Sequence, residues 1–238
     1  MASKKKTYHH EEKHSSIDTG GNFRDFILGF QDGLVNVLGI VLAVAVASQD
    51  FRIILIAGIA AAMAESISMA AVAYTSTKSE KDFYRSELER EQWEIENVPH
   101  LEVKEIRDIY YKKGFRDKVL NAIVKRVTSD KKLWLHTMMK EELGLSDDDK
   151  SPVKSAAIVG ISAIAGSFIP LLAFIFLPIS TAIFGTIIVS IIVLFMVGTV
   201  KARLIDASIL KHGLEIALIG TLSALIGYGI GALLGVVV

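Results

Sequence analysis

Residues 26–48 read FILGFQDGLVNVLGIVLAVAVAS, and residues 53–74 read IILIAGIAAAMAESISMAAVAY. At about 1.5 Å per residue, each stretch is long enough to cross a hydrocarbon core of about 30 Å as a helix. Each carries one ionisable residue, Asp32 in the first and Glu65 in the second. Three further apolar stretches follow at Ser155–Leu177, Ile179–Val200 and roughly Leu214–Val238, the first two of them separated only by a short turn at Pro178. A cleaved signal peptide fits the first stretch poorly, because it contains Asp32 and leads at once into a second span. The pattern predicts an all-α integral membrane protein with five transmembrane helices. Its parts are a polar leader (1–24), helices one and two (25–77), a charged helical insert (78–154) and helices three to five (155–238).

Composition narrows the function. Of 238 residues, 51% are hydrophobic, so the chain is not intrinsically disordered. Lys plus Arg and Asp plus Glu both number 26, and a net charge of zero gives no bulk electrostatic drive toward nucleic acid. There is no cysteine, which excludes disulfides, thiolate metal sites and cysteine nucleophiles. A metal would have to be held by oxygen, nitrogen or thioether ligands. Basic residues are segregated: the leader holds Lys4, Lys5, Lys6, Lys13 and Arg24, the insert holds 17, and Lys201, Arg203 and Lys211 follow the fourth span, whereas the other side has only Arg52. That bias places the amino terminus and the insert in the cytoplasm. The KKK and HHEEKH runs of the leader read as solvated, and a metal role for His9 and His10 is the weaker reading.

The insert carries as many acidic as basic side chains, 17 of each. A helix is expected to run on from span two over Thr77–Glu96 and to end at Asn97-Val98-Pro99. A second is expected over about Leu101–Lys113, stopping at Gly114. A third region covers about Arg116–Leu143, with Asp130 as a candidate internal N-cap and Gly144 as its stop. Three such helices bury little apolar surface alone. Glu87, Glu91 and Glu94 share one face of the first helix, Glu102 and Glu105 one face of the second, and Met138 and Met139 precede Glu142 by four and three residues. From spacing, this is either a metal-binding cluster or a solvated surface neutralised by Arg85, Arg90, Lys104 and Arg107, with the methionines as core.

Carboxylates within a bilayer are costly and call for a compensating partner or a function. Asn36 lies one turn after Asp32, and Met69 one turn after Glu65. If spans one and two pack together, two carboxylates, an amide oxygen and a thioether converge on a divalent-cation site, and the sulfur favours a softer transition ion such as Fe²⁺. A buried Glu65 hydrogen-bonded to Ser66 or Ser68, or an Asp32 that caps a helix break at Gly33, would be the structural alternative. Asp206 and Glu215 read as interfacial, partnered by Arg203 or Lys211. Gly227, Gly231 and Gly235 form a small-residue packing stripe in span five. No P-loop, HExxH or Ser/His/Asp arrangement supports an enzyme.

GFQDGLVNVLGIVLAVA in span one, AAMAESISMAAVAY in span two, and ELEREQWEIENVP followed by EVKEIRDIYYKKGF in the insert together resemble the vacuolar iron transporter family. The resemblance covers nearly the whole chain after the leader. It implies a five-span homodimer, with a cytoplasmic metal-binding domain between spans two and three, that exports Fe²⁺ and related divalent metals from the cytosol in exchange for protons. It also implies that Asp32, Glu65 and Met69 are translocation ligands, and that Glu91, Glu94, Glu102, Glu105, Met138, Met139 and Glu142 form the cytoplasmic site. The expected partners are metal ions, protons, a second copy and the bilayer of a cell or vacuole-type membrane. No prosthetic group and no nucleic acid are implied. A membrane-anchored metal sensor or buffer is the rival from another functional class.

Overall fold

The structure is a computed structural model and describes residues 17–147, 150–205 and 207–235. Among the described residues there is no strand. The helices are α1 (Ile17–Ser48), α2 (Phe51–Asn97), α3 (Pro99–Lys112), α4 (Asp117–Thr128), α5 (Lys131–Thr137), α6 (Pro152–Phe176), α7 (Ile179–Leu204) and α8 (Ile209–Gly235). Five of them, α1, α2, α6, α7 and α8, are long and apolar enough to cross a membrane. The described residues separate into two compact units, one made of those up to 73 together with those from 153 onward, the other of those between 74 and 152.

In the membrane unit the turns follow local chemistry. Only Gln49 and Asp50 separate α1 from α2. Gln49 takes a positive φ of 54°, and Asp50 Oδ1 caps α2 by accepting from the backbone N–H of Arg52 at 2.7 Å and of Ile53 at 3.2 Å. The first helix begins at Ile17, inside the segment expected to be leader, because nothing in Gly20–Arg24 forbids helix once the apolar turns behind it are packed. His9 and His10 lie outside the described residues, as does Asp206.

Helix α1 is the centre of this unit. A Cβ on Gly33 would overlap the carbonyl oxygen of Ala163 in α6, and a Cβ on Gly227 of α8 would overlap that of Gly39 in α1. Gly231 and Gly235 repeat the contact against Ala43 and Ala47, so the stripe expected in span five is the seam against α1. Around it Val37, Leu38, Val41, Leu42, Ile54, Ala62, Leu171 and Phe174 form the main apolar core.

The second unit is built by the end of α2 with α3, α4 and α5 around Ile95, Ile106, Leu120, Val124, Val127, Trp134 and Met138. Pro99 opens α3 at its first turn, and Gly114 and Gly144 adopt φ of +97° and +66° where helices stop. The third helical region expected from sequence is two helices. Asp130 ends the continuity by capping α5, accepting from Lys132 N at 3.0 Å and Leu133 N at 3.3 Å. Beyond α5, Met138–Glu142 widens into a π-helical turn, with Leu143 N donating to Met138 O at 3.2 Å.

Candidate metal sites

Two acidic groups stand out, one in each unit. In the membrane unit, α1 and α2 place the carboxyl group of Glu65 within hydrogen-bonding range of the Asp32 carboxyl and the Asn36 side chain. All three residues are half-buried, as is Met69, which stands one turn along α2 from Glu65. The side chains brought next to Glu65 are thus those of Asp32 and Asn36. Two carboxyl groups this close need a proton or a cation between them, since two bare negative charges would repel strongly in a medium of low dielectric. Ser66 is occupied elsewhere, its Oγ donating to the Ala62 carbonyl at 2.6 Å.

Residue Asp25 was not singled out by sequence reasoning. It is only 5% exposed, two turns before Asp32 on the same face of α1, and it accepts a hydrogen bond of 2.6 Å from Ser155 Oγ of α6. Its seven-residue offset from Asp32 was the available signal. It falls at the first position of the 25–77 segment, beside Arg24 and just before the apolar run that begins at Phe26. In the first turns of α8, Glu215 lies 3.4 Å from His212 Nδ1, and among the described residues it forms no ion pair with Arg203 or Lys211.

In the second unit, Glu91 and Glu94 project from successive turns of α2 and Glu102 from the first turn of α3, with one carboxylate oxygen of each within 4.8 Å of the others. Glu91 and Glu102 are 1% and 2% exposed, and in each the Oε2 atom has no hydrogen-bond partner. Leaving a buried carboxylate oxygen unsatisfied is expensive, and such an atom is a ready ligand for a cation. Burial, reinforced by repulsion from Glu105, Glu91, Glu94 and Glu142, pushes Glu102 up to about 8. Burial, then repulsion from Glu105, Glu91 and Glu94, pushes Glu142 up to about 7, opposed by Arg90. Burial also holds Glu91 above the usual carboxylate range, against a hydrogen bond from Arg90. Five carboxylates from α2, α3 and the π turn therefore share one electrostatic field.

Arg90 supplies the counter-charge, lying 2.8 Å from Glu87, 3.2 Å from Glu91 and 4.0 Å from Glu94. Among the described residues, Arg85, Lys104 and Arg107 form no ion pair with these groups, so one half-exposed cation faces the whole cluster. The π turn revises the helical spacing assumed for Met138, Met139 and Glu142, because a widened turn rotates each later residue backward. Glu142 still faces the carboxylates, helped by an ion pair between Glu141 and Lys113 that ties the turn to the end of α3. Both methionines are buried. Met138 packs into the apolar core, and Met139 is 2% exposed beside it.

A family profile described as the VIT family matches residues 23–232, which spans both acidic groups. The chain belongs to the VIT family. Among relatives of this VIT protein, Vacuolar iron transporter 1 of Arabidopsis thaliana is 34% identical over 218 residues, covering 91% of this chain and 86% of that one. Vacuolar iron transporter of Centaurea cyanus is 35% identical over 222 residues, covering 92% and 90%. Vacuolar iron transporter of Plasmodium falciparum (isolate 3D7) is 29% identical over 241 residues, covering 95% and 88%.

Proposed function

We propose that this VIT protein is a transporter that exports Fe²⁺ and related divalent transition metals from the cytosol, in exchange for protons, across a vacuole-type or cell membrane. The observation that carries this reading is the pairing of Asp32 with Glu65, two carboxyl groups held together by membrane helices where only a shared cation or proton relieves them. Asp32, Glu65 and Met69 are the translocation ligands, with Asn36 oriented by Glu65. Glu91, Glu94, Glu102, Glu105 and Glu142, with Met138 and Met139, collect the ion on the cytoplasmic side. Carboxylates supply the charge, and the thioether sulfurs bias the choice toward Fe²⁺ over Mg²⁺.

The concentration of Lys and Arg on the leader, the insert and the facing ends of α7 and α8 supports a cytoplasmic placement for the 78–154 domain. A homodimer is supported by the exposure of α2. Only 22% of its apolar window is buried, against 50% for α6, and the ligand face around Asp32 and Glu65 is half open. A second copy covering that face would bring two such carboxyl pairs together about one axis.

The test is Fe²⁺ flux into proteoliposomes with a pH dye inside. Wild-type protein is expected to load metal and to release protons from the lumen. Glu65→Ala and Met69→Ala are expected to lose uptake while eluting as folded protein, and full transport by both would refute the ligand assignment. Saturable metal binding without flux in the wild type would establish the sensor reading, which the self-contained cluster of the second unit favours.

A further inference from the structure

A cavity of about 540 Å³ lies in the membrane unit between the first turns of α1 and the end of α7. Phe23, Ile27, Leu204 and Ile205 make apolar walls, and Arg24 and Lys201 bring two cations to the same space. Neither cation has an ion-pair partner among the described residues. Asp32 also lines the cavity, about two turns along α1 from Arg24. Its carboxylate makes the far end unfavourable for an anion and leaves Arg24 and Lys201 as the anion-binding end. This end of the membrane unit is also the basic one: Arg203 and Lys211 flank the same loop, while Arg52 stands alone at the α1–α2 turn.

We infer that this cavity binds an anionic phospholipid, its phosphate held by Arg24 and Lys201 and the start of its acyl chains laid along the apolar walls. The chemistry needed is a phosphate diester carrying net negative charge, joined to hydrocarbon. A guanidinium and an ammonium at the basic end of a helical bundle match the first part, and they do so where lipid headgroups are found. The four large apolar side chains match the second. A free phosphate would engage the cations but gain nothing from those walls, which is why the lipid is the assigned occupant. The site is separate from the metal ligands except at Asp32, so a bound lipid borders one wall of the proposed translocation site.

The test uses the full-length protein in detergent, titrated with phosphatidylglycerol or phosphatidylcholine and read by native mass spectrometry. This readout does not depend on transport, so its result and the fate of the transport reading are separable. Wild-type protein is expected to prefer phosphatidylglycerol by about 25-fold, with Arg24→Ala and Lys201→Ala each removing about fivefold. Arg24→Lys, which keeps the charge and guards against a folding artefact, and Arg52→Ala, at the other end of the unit, should leave the preference intact. An unchanged preference in the Arg24→Ala/Lys201→Ala double variant overturns the proposal. So does displacement of phosphatidylglycerol by millimolar inorganic phosphate, which would mark a simple ion site. A preference that appears only after deletion of residues 1–16 would show that the leader fills the cavity. Because the chain has no cysteine, Leu204→Cys reports on the remaining occupant: a disulfide between subunits in native membranes would show that a second copy covers the groove, and the lipid assignment would fail.

Discussion

The membrane pair and the cluster of the second unit use the same functional group in opposite ways. Asp32 and Glu65 are half-buried, few, and matched to each other and to Asn36. Glu91 and Glu102 are sealed from solvent with unsatisfied oxygens, inside a group of five carboxylates opposed by one arginine. Under the proposed function, the sparse site suits an ion that must leave again, whereas the crowded one stores repulsion that a cation would release on binding. Passage and capture would then be separated by the number and burial of acidic groups, with no change in ligand chemistry.

This contrast can be broken most directly at the membrane pair. Glu65→Gln keeps the shape but removes a charge, and it is expected to lower Fe²⁺ flux by about a hundredfold or more while leaving metal binding to the full chain nearly unchanged. Equal loss of binding would mean that the two sites are not distinct. Next in size is Glu102→Gln. It should weaken metal binding by about tenfold in a titration of the full-length protein, yet raise the melting temperature of the metal-free protein at pH 8, because it removes a charge that the fold pays to bury.

The pH dependence sharpens the same point. Glu102 and Glu142, at about 8 and about 7 in the folded chain, lie above the ordinary carboxylate value, so the folded state binds more protons than the unfolded state between about pH 4.5 and 8. Stability of the metal-free protein should therefore fall as pH rises through that window, and Fe²⁺ should restore it while displacing protons. Thermal denaturation at pH 5, 6.5 and 8, with and without metal, measures this, and a metal-free melting temperature that rises with pH contradicts it. The smallest effect is expected for Met139→Leu. This volume-conserving change should cost less than about 1.5 kcal/mol in stability, and it should shift the preference of the cluster from Fe²⁺ toward harder ions such as Mn²⁺ by a few-fold in competition titrations.

Long apolar runs made the five membrane helices legible, because hydropathy over 20 residues is a stronger signal than any local propensity. The three-residue steps at Glu91–Glu94 and Glu102–Glu105 likewise showed which carboxylates share a face. What escaped depends on contacts between distant residues or on a change of helical pitch. The π turn at Met138–Glu142 has no single-residue signature, so a regular helix was expected there. Arg90 emerged as the shared cation only once Glu87, Glu91 and Glu94 were positioned around it, since Arg85 had the same apparent claim. The bond between Asp25 and Ser155 joins residues 130 positions apart, beyond the reach of any periodicity. The start of α1 at Ile17 was missed because a hydropathy window stops at the first charge, whereas a helix stops only where its backbone loses its partners.

The glycine seams of α1 carry a mechanical consequence. A helix whose backbone is wedged directly on two neighbours cannot roll or slip without prying them apart, so α1, α6 and α8 form the stator of the membrane unit. Helix α2, with 22% of its apolar window buried, is the least enclosed of the five membrane helices. Under the proposed function, rocking that opens the Asp32–Glu65 pair first to one side of the bilayer and then to the other would have its bearing between α1 and α2.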